Sequence, residues 1–182
     1  MRKFCLPMLL ILSLLLTGCA ADSSREAFDG FIRDLAEKES LSFSADLRCE
    51  YSDKSFSFTV DCLDDGEGCA VSVTAPELIQ GITARMNAGE TTLEYGSVRL
   101  DTGPLDSFGL CPMSAMPLML QALKNGYVDS VWEEDGQLCA LIVPSDSLEV
   151  QLWVDKYSLE PVHAQLISEG RVAVYADIKN WV

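Results

Sequence analysis

The sequence predicts an α+β domain: a long antiparallel sheet with one helix ahead of it and a helical insertion near its middle. Three observations predict it. Apolar and polar residues alternate through most of the chain after residue 42, the mark of half-buried strands. One helical stripe, Phe28, Phe31, Ile32 and Leu35, precedes that alternation. The alternation breaks over residues 111–125, a stretch rich in Met, Leu and Ala.

The stripe lies at i, i+3, i+4 and i+7 and predicts a helix over residues 24–39. Ser23 stands three before Glu26, the capping-box spacing. The alternation then runs as Phe43, Ala45, Leu47, Cys49, Tyr51, next as Phe56, Phe58, Val60, Cys62, and again as Cys69, Val71, Val73. Folded so that Tyr51 faces Phe56 and Cys62 faces Cys69, Leu47 meets Val60 and Val71, and every apolar residue meets another. A register with one dry face resists slipping. Shorter strands are expected over residues 81–86, 91–95 and 98–100, with Gly96-Ser97 as a type II′ turn. In the insertion, Pro117 suits the first turn of a helix and Gly126 the position past its end. Strands resume over residues 127–132 and 137–143. The last third alternates as Leu148, Val150, Leu152, Val154, then Val162, Ala164, Leu166, then Val172, Val174, Ala176, Ile178. The final two runs are joined by a three-residue loop, Ser168-Glu169-Gly170, with glycine last as a G1 bulge requires. With no linker, repeat or low-complexity stretch, this is one domain.

The N-terminus carries a targeting message. Met1-Arg2-Lys3 is positive, and residues 4–16 are apolar. That run is shorter than the about 20 residues a spanning helix needs, and it fits a signal h-region. It ends Leu16-Thr17-Gly18-Cys19, which resembles the lipobox of exported lipoproteins. Residues 1–18 are therefore expected to be a cleaved signal. Cys19 is expected to be the lipidated N-terminus, residues 19–22 a lipidated tether, and residues 23–182 the folded domain. Several acyl chains on one terminus make a firm anchor, which would hold the protein on the outer face of the cell membrane.

Past residue 18 the chain holds 11 basic and 28 acidic residues, a net charge of −17. This excludes the basic footprint of a nucleic-acid binder and polybasic docking to anionic lipid. The acid reads as a solubilising surface, or else as a match for a basic partner. Five cysteines remain beyond Cys19: Cys49, Cys62, Cys69, Cys111 and Cys139. No pair has C-x-x-C spacing, so neither a thioredoxin-like motif nor a zinc ribbon is indicated. Cys62 and Cys69, opposed in the meander, are disulfide candidates; reduced thiols in an apolar row are the other reading. The single histidine, His163, falls on the solvent phase of its strand. Neither G-x-S-x-G nor H-E-x-x-H occurs. The acids of residues 64–67 read as a solvated turn without EF-hand spacing. No catalytic residue, metal or cofactor is expected, and the chain reads as a non-enzyme.

The order of helix, meander, mid-chain helix and final meander resembles the LolA/LolB-like lipoprotein-carrier fold. It is more closely similar to the GerS-type sporulation and germination lipoproteins of Gram-positive spore formers. The resemblance is carried by Ala75-Pro76-Glu77-Leu78-Ile79-Gln80-Gly81-Ile82, Leu93-Glu94-Tyr95-Gly96 and Met116-Pro117-Leu118-Met119-Leu120-Gln121-Ala122-Leu123. It continues in Glu149-Val150-Gln151-Leu152-Trp153-Val154-Asp155-Lys156 with Leu159-Glu160-Pro161. It implies a strongly curved half-barrel whose concave face the helical insertion covers. It also implies two functions. In the first, Met113, Met116, Met119, Leu120 and Leu123 form a lid over Phe58, Val60 and Val71, and a lipid or acylated partner is held between. Methionine suits varied apolar partners, but plain packing of helix on sheet fits the same residues. In the second, the sheet is a scaffold for an envelope or spore-cortex enzyme such as a peptidoglycan amidase.

Overall fold

The computed structural model describes residues 19–51, 53–87, 89–103 and 110–182. Helix α1 (Cys19–Glu37) leads into strands β1 (Leu41–Tyr51), β2 (Lys54–Asp64) and β3 (Gly68–Ala75). A 3-10 turn (Glu77–Ile79) and strands β4 (Thr83–Asn87), β5 (Glu90–Tyr95) and β6 (Val98–Asp101) follow. Helix α2 (Pro112–Asn125) interrupts the sheet. Strands β7 (Tyr127–Glu134), β8 (Gln137–Ser145), β9 (Leu148–Asp155), β10 (Pro161–Ser168) and β11 (Arg171–Lys179) complete it.

All eleven strands form one antiparallel, curved and unclosed sheet in the order β6-β5-β4-β3-β2-β1-β11-β10-β9-β8-β7. Two meanders thus meet at β1 and β11, and β6 and β7 are left as edges. Alternation builds the inner face row by row. Leu47, Ala176, Ala164, Leu152 and Ala140 are successive register partners on five neighbouring strands, each 2% exposed or less. Both helices lie against this side. Helix α1 packs on β7 and β8, while α2 reaches from β8 across to β3 and also touches α1. The stripe of α1 is buried as its spacing requires, with Phe28 and Phe31 rings 5.6 Å apart. Near the other end, Trp181 stacks on Phe43 at 4.9 Å.

Four local expectations differ from what forms. The β1–β2 pairing is tighter by two residues: Tyr51 pairs with Lys54, Cys49 with Phe56 and Leu47 with Phe58. A shift of two keeps every side chain on its face, so alternation alone could not distinguish the registers. The same holds for β2–β3, where Cys69 pairs with Asp64 and Cys62 with Val71. The turn between β10 and β11 is Glu169-Gly170, both at positive φ (53° and 71°), and a bulge between Leu166 and Ile167 absorbs the offset. Helix α1 begins at Cys19, which places Ser23 inside it and not at its cap.

The fourth difference concerns α2. It starts at Pro112, so that proline takes the first-turn role and Pro117 lies within the helix. Ser114 closes the N-terminus, accepting from the Cys111 N–H at 3.0 Å and donating to the Cys111 carbonyl at 3.1 Å. Gly126 is extended (φ −76°, ψ 157°), not left-handed. It is glycine for room: a Cβ there would stand 2.5 Å from the Ala122 carbonyl oxygen and 2.6 Å from Ile142 Cγ2.

Candidate functional site

The inner face and the helix across it hold every residue expected to line an apolar site. Met116 and Met119 are fully buried, and Leu120 and Leu123 are 2% exposed. Val60 and Val71, on the facing wall, are fully buried and belong to the same apolar cluster. Met113 and Phe58 are partly buried at its margin. The structure therefore brings all eight together with α2 seated in the hollow. Burying each of the large side chains stabilises this arrangement by about 1.5–3 kcal/mol.

One polar tie between α2 and the sheet went unrecognised in the sequence. Lys124 Nζ donates to Asp64 Oδ2 at 2.7 Å, with the Asp64 side chain 12% exposed. Asp64 is the last residue of β2 and continues the inward phase of Val60 and Cys62. A carboxylate on an apolar phase was the available signal; grouping it with the acids of the turn hid it. Asp65 and Glu67 do belong to that turn, where Asp65 Oδ1 accepts the N–H groups of Glu67 and Gly68. Asp64 is further held by the Gly66 N–H at 2.9 Å.

Cys62 and Cys69 are diagonal neighbours across the β2–β3 ladder, and their Sγ atoms stand 3.4 Å apart. Cys62 is buried and Cys69 half-buried. Hydrogen bonding to Cys69, then burial, pushes the Cys62 thiol well up. Burial also pushes Cys49 up to about 12 and Cys139 up to about 11. His163 lies on the outer face as expected, its Nδ1–H donating to Asp177 Oδ1 at 2.8 Å and its ring meeting Trp153 edge-on at 5.0 Å. Arg48 lies over the Tyr175 ring at 4.2 Å. Hydrogen bonds from Lys179 and Thr59 hold the Asp46 carboxyl below its usual range. Asp46, Arg48, Thr59, His163, Tyr175 and Asp177 line a shallow groove of about 540 Å³ and are engaged mainly with one another or with flanking residues. Cys19 is placed at the start of α1. Among the described residues no helix is long and apolar enough to cross a membrane, and no group of three or more His, Cys, Asp or Glu could hold a metal.

This arrangement, an open curved sheet whose inner face is covered by one N-terminal and one mid-chain helix, recurs in solved structures. No described protein family matches the chain. No curated protein matches it either. A putative outer membrane lipoprotein-sorting protein domain from Vibrio parahaemolyticus is similar, at 9% identity and a TM-score of 0.50 over 85% of this chain and 90% of that one. A LolA superfamily protein from Nitrosomonas europaea matches at 12% identity and a TM-score of 0.46, over 84% and 91% of the two chains. The GerS–CwlD amidase complex from Clostridioides difficile contains a chain matched at 12% identity and a TM-score of 0.44, again over 84% and 91%. At such identities the likeness is one of fold. The fold is similar to that of the lipoprotein-sorting domain.

Proposed function

We propose that this chain is a non-enzymatic, extracytoplasmic binding protein, anchored to the outer face of the cell membrane through a lipid on Cys19. It holds a hydrophobic ligand, a lipid or an acylated partner, against the inner face of its sheet. The observation that carries this reading is how that face is covered. A continuous apolar wall of more than five strands is covered in part by α1 and otherwise by a 14-residue helix carried on one excursion between β6 and β7. An apolar wall must be kept from water. An acyl chain of suitable length and the side chains of Met116, Met119, Leu120 and Leu123 compete for the same wall. Methionine is flexible enough to pack against either.

A fatty acid carrying a photoreactive diazirine tests this with the protein in its own membrane. Photolysis is expected to attach the probe to residues 113–123 and to the strands bearing Phe58, Val60 and Val71. Labelling confined to other surfaces overturns the ligand reading. Anchoring is tested separately. Cys19→Ala is expected to abolish incorporation of a clickable fatty acid and to leave the signal uncut; equal labelling of the variant overturns the lipid attachment.

One observation favours a second reading. Edge strand β6 carries Val98 and Leu100 at 65% and 59% exposure, and Tyr95 beside them is 56% exposed. Register places Leu93 opposite Leu100 and Tyr95 opposite Val98, so the exposed apolar row is continuous. An unpaired strand with an apolar row is suited to strand addition by a protein partner. Such a partner would be an envelope enzyme of the peptidoglycan amidase kind. A diazirine probe that finds no inner-face residue leaves this reading in place.

A further inference from the structure

The β2–β3 hairpin places two thiols in contact at a point open to solvent from one side, and neither function above uses them. The sulfurs of Cys62 and Cys69 are 3.4 Å apart, which is contact without a bond. The two residues are diagonal on adjacent strands, a relation that keeps side chains within reach of each other. Their environments differ. Cys62 is 2% exposed. Cys69 is half-buried and lines a groove of about 510 Å³ with Gly68, Met86 and Asn87. Cys139, by contrast, pairs in register with Trp132 and Trp153.

We propose that Cys62 and Cys69 form a redox site, a dithiol that closes into an intramolecular disulfide by exchange with a small-molecule or protein disulfide. The Cys69 thiolate attacks one sulfur of the incoming disulfide. That bond breaks, the first thiol leaves, and a mixed disulfide remains on Cys69. Cys62 then gives up its proton and attacks the Cys69 sulfur, releasing the second thiol. Two protein thiols and one external disulfide become one protein disulfide and two external thiols. Cys69 is the entry sulfur because it is the half-buried member of the pair, whereas Cys62 is 2% exposed. Cys62 resolves because its sulfur is buried in contact with that of Cys69. An oxidising compartment, as expected for an exported chain, supplies the disulfide.

The closed ring includes Asp64, whose carboxylate holds Lys124 of α2. Oxidation therefore tightens the end of the hairpin at which the helix is tied down. This second consequence rests on the reading of α2 as a lid; the disulfide itself does not.

The full chain, purified from membranes without reductant, is treated with oxidised glutathione, and remaining thiols are then capped with iodoacetamide at denaturing strength. Glu-C cuts after Glu67, between the two cysteines. The expected product is a joined pair of peptides, lighter by two hydrogens, that separates on reduction. In Cys62→Ala, glutathione is expected to remain on Cys69. Separate capped peptides from the wild type, glutathione held on Cys69 without closure, or Cys62 joined to any other cysteine each overturn the site. Hydrogen exchange on the same samples reads the link to the helix: amides of residues 112–125 should exchange several-fold more slowly in the oxidised protein. Unchanged exchange with the disulfide present overturns the coupling to α2 and leaves the redox site standing.

Discussion

Met119→Asp is expected to lift α2 off the sheet and leave the sheet folded. Met119 is fully buried in an apolar cluster, so a carboxylate there has no water and no cation to meet. An unpaired charge in such a place costs several kcal/mol. The least costly response is for the element that carries the charge to move out. Helix α2 can do so because it is one excursion between two edge strands, although the Lys124–Asp64 pair must open as it leaves. Lifting α2 also gives up the burial of Met116, Leu120 and Leu123, and each kcal/mol lost lowers the thermal midpoint by roughly 2–4 °C for a chain of this size. Hydrogen exchange checks the prediction: protection over residues 112–125 should be lost, while residues 148–179 keep theirs. Loss of both together would make α2 an integral part of the core and overturn its role as a lid.

Leu152→Asp introduces the same charge and should have a different outcome. Leu152 is fully buried, and its register partners on either side are Ala140 and Ala164. The leucine fills space that its small neighbours leave. Strand β9 lies between β8 and β10 and is hydrogen-bonded to both, so it cannot swing out to hydrate the charge. The cost falls on the whole domain and is a large share of a typical stability of about 5–15 kcal/mol. We expect no cooperative melt, a collapsed near-ultraviolet dichroism signal and little folded protein. A variant melting within a few degrees of the wild type would show that the inner face at β9 is not the packed wall described above.

Much of this fold was legible because the two periods are so clean. Every predicted strand forms, since each carries at least two apolar residues on one phase and one face of the sheet is dry. The failures share a physical origin. Registers at β1–β2 and β2–β3 were off by two because such a shift preserves the face of every residue; turn geometry decides it, and Lys54, paired with Tyr51, had been placed in the loop. Pro112 and Pro117 both fit a helix start by local pattern; Pro112 occupies it and Pro117 lies within the helix. Gly126 was expected for its handedness and is needed for close contact with Ala122 and Ile142, a tertiary effect no local pattern carries. The candidate lid residues were legible as an apolar group, since Met116, Met119, Leu120 and Leu123 fall on one side of a helix. Their tie to Asp64 spans 60 residues and was not.

The meeting of β1 and β11 at the centre of the sheet bears on when the protein can fold. Asp46 and Lys179, bonded across that seam, are 133 residues apart in the chain. Pairing so distant closes a large loop and forms late, after the local hairpins on either side. Until β11 arrives, β1 presents an open edge with Leu41, Phe43, Ala45 and Leu47 on its apolar side. The two halves of the sheet cannot join before β11 is available, so a chain still being made stays loose until then. Assembly is then triggered by the C-terminal residues, with Val182 closing its paired bonds to Ser42.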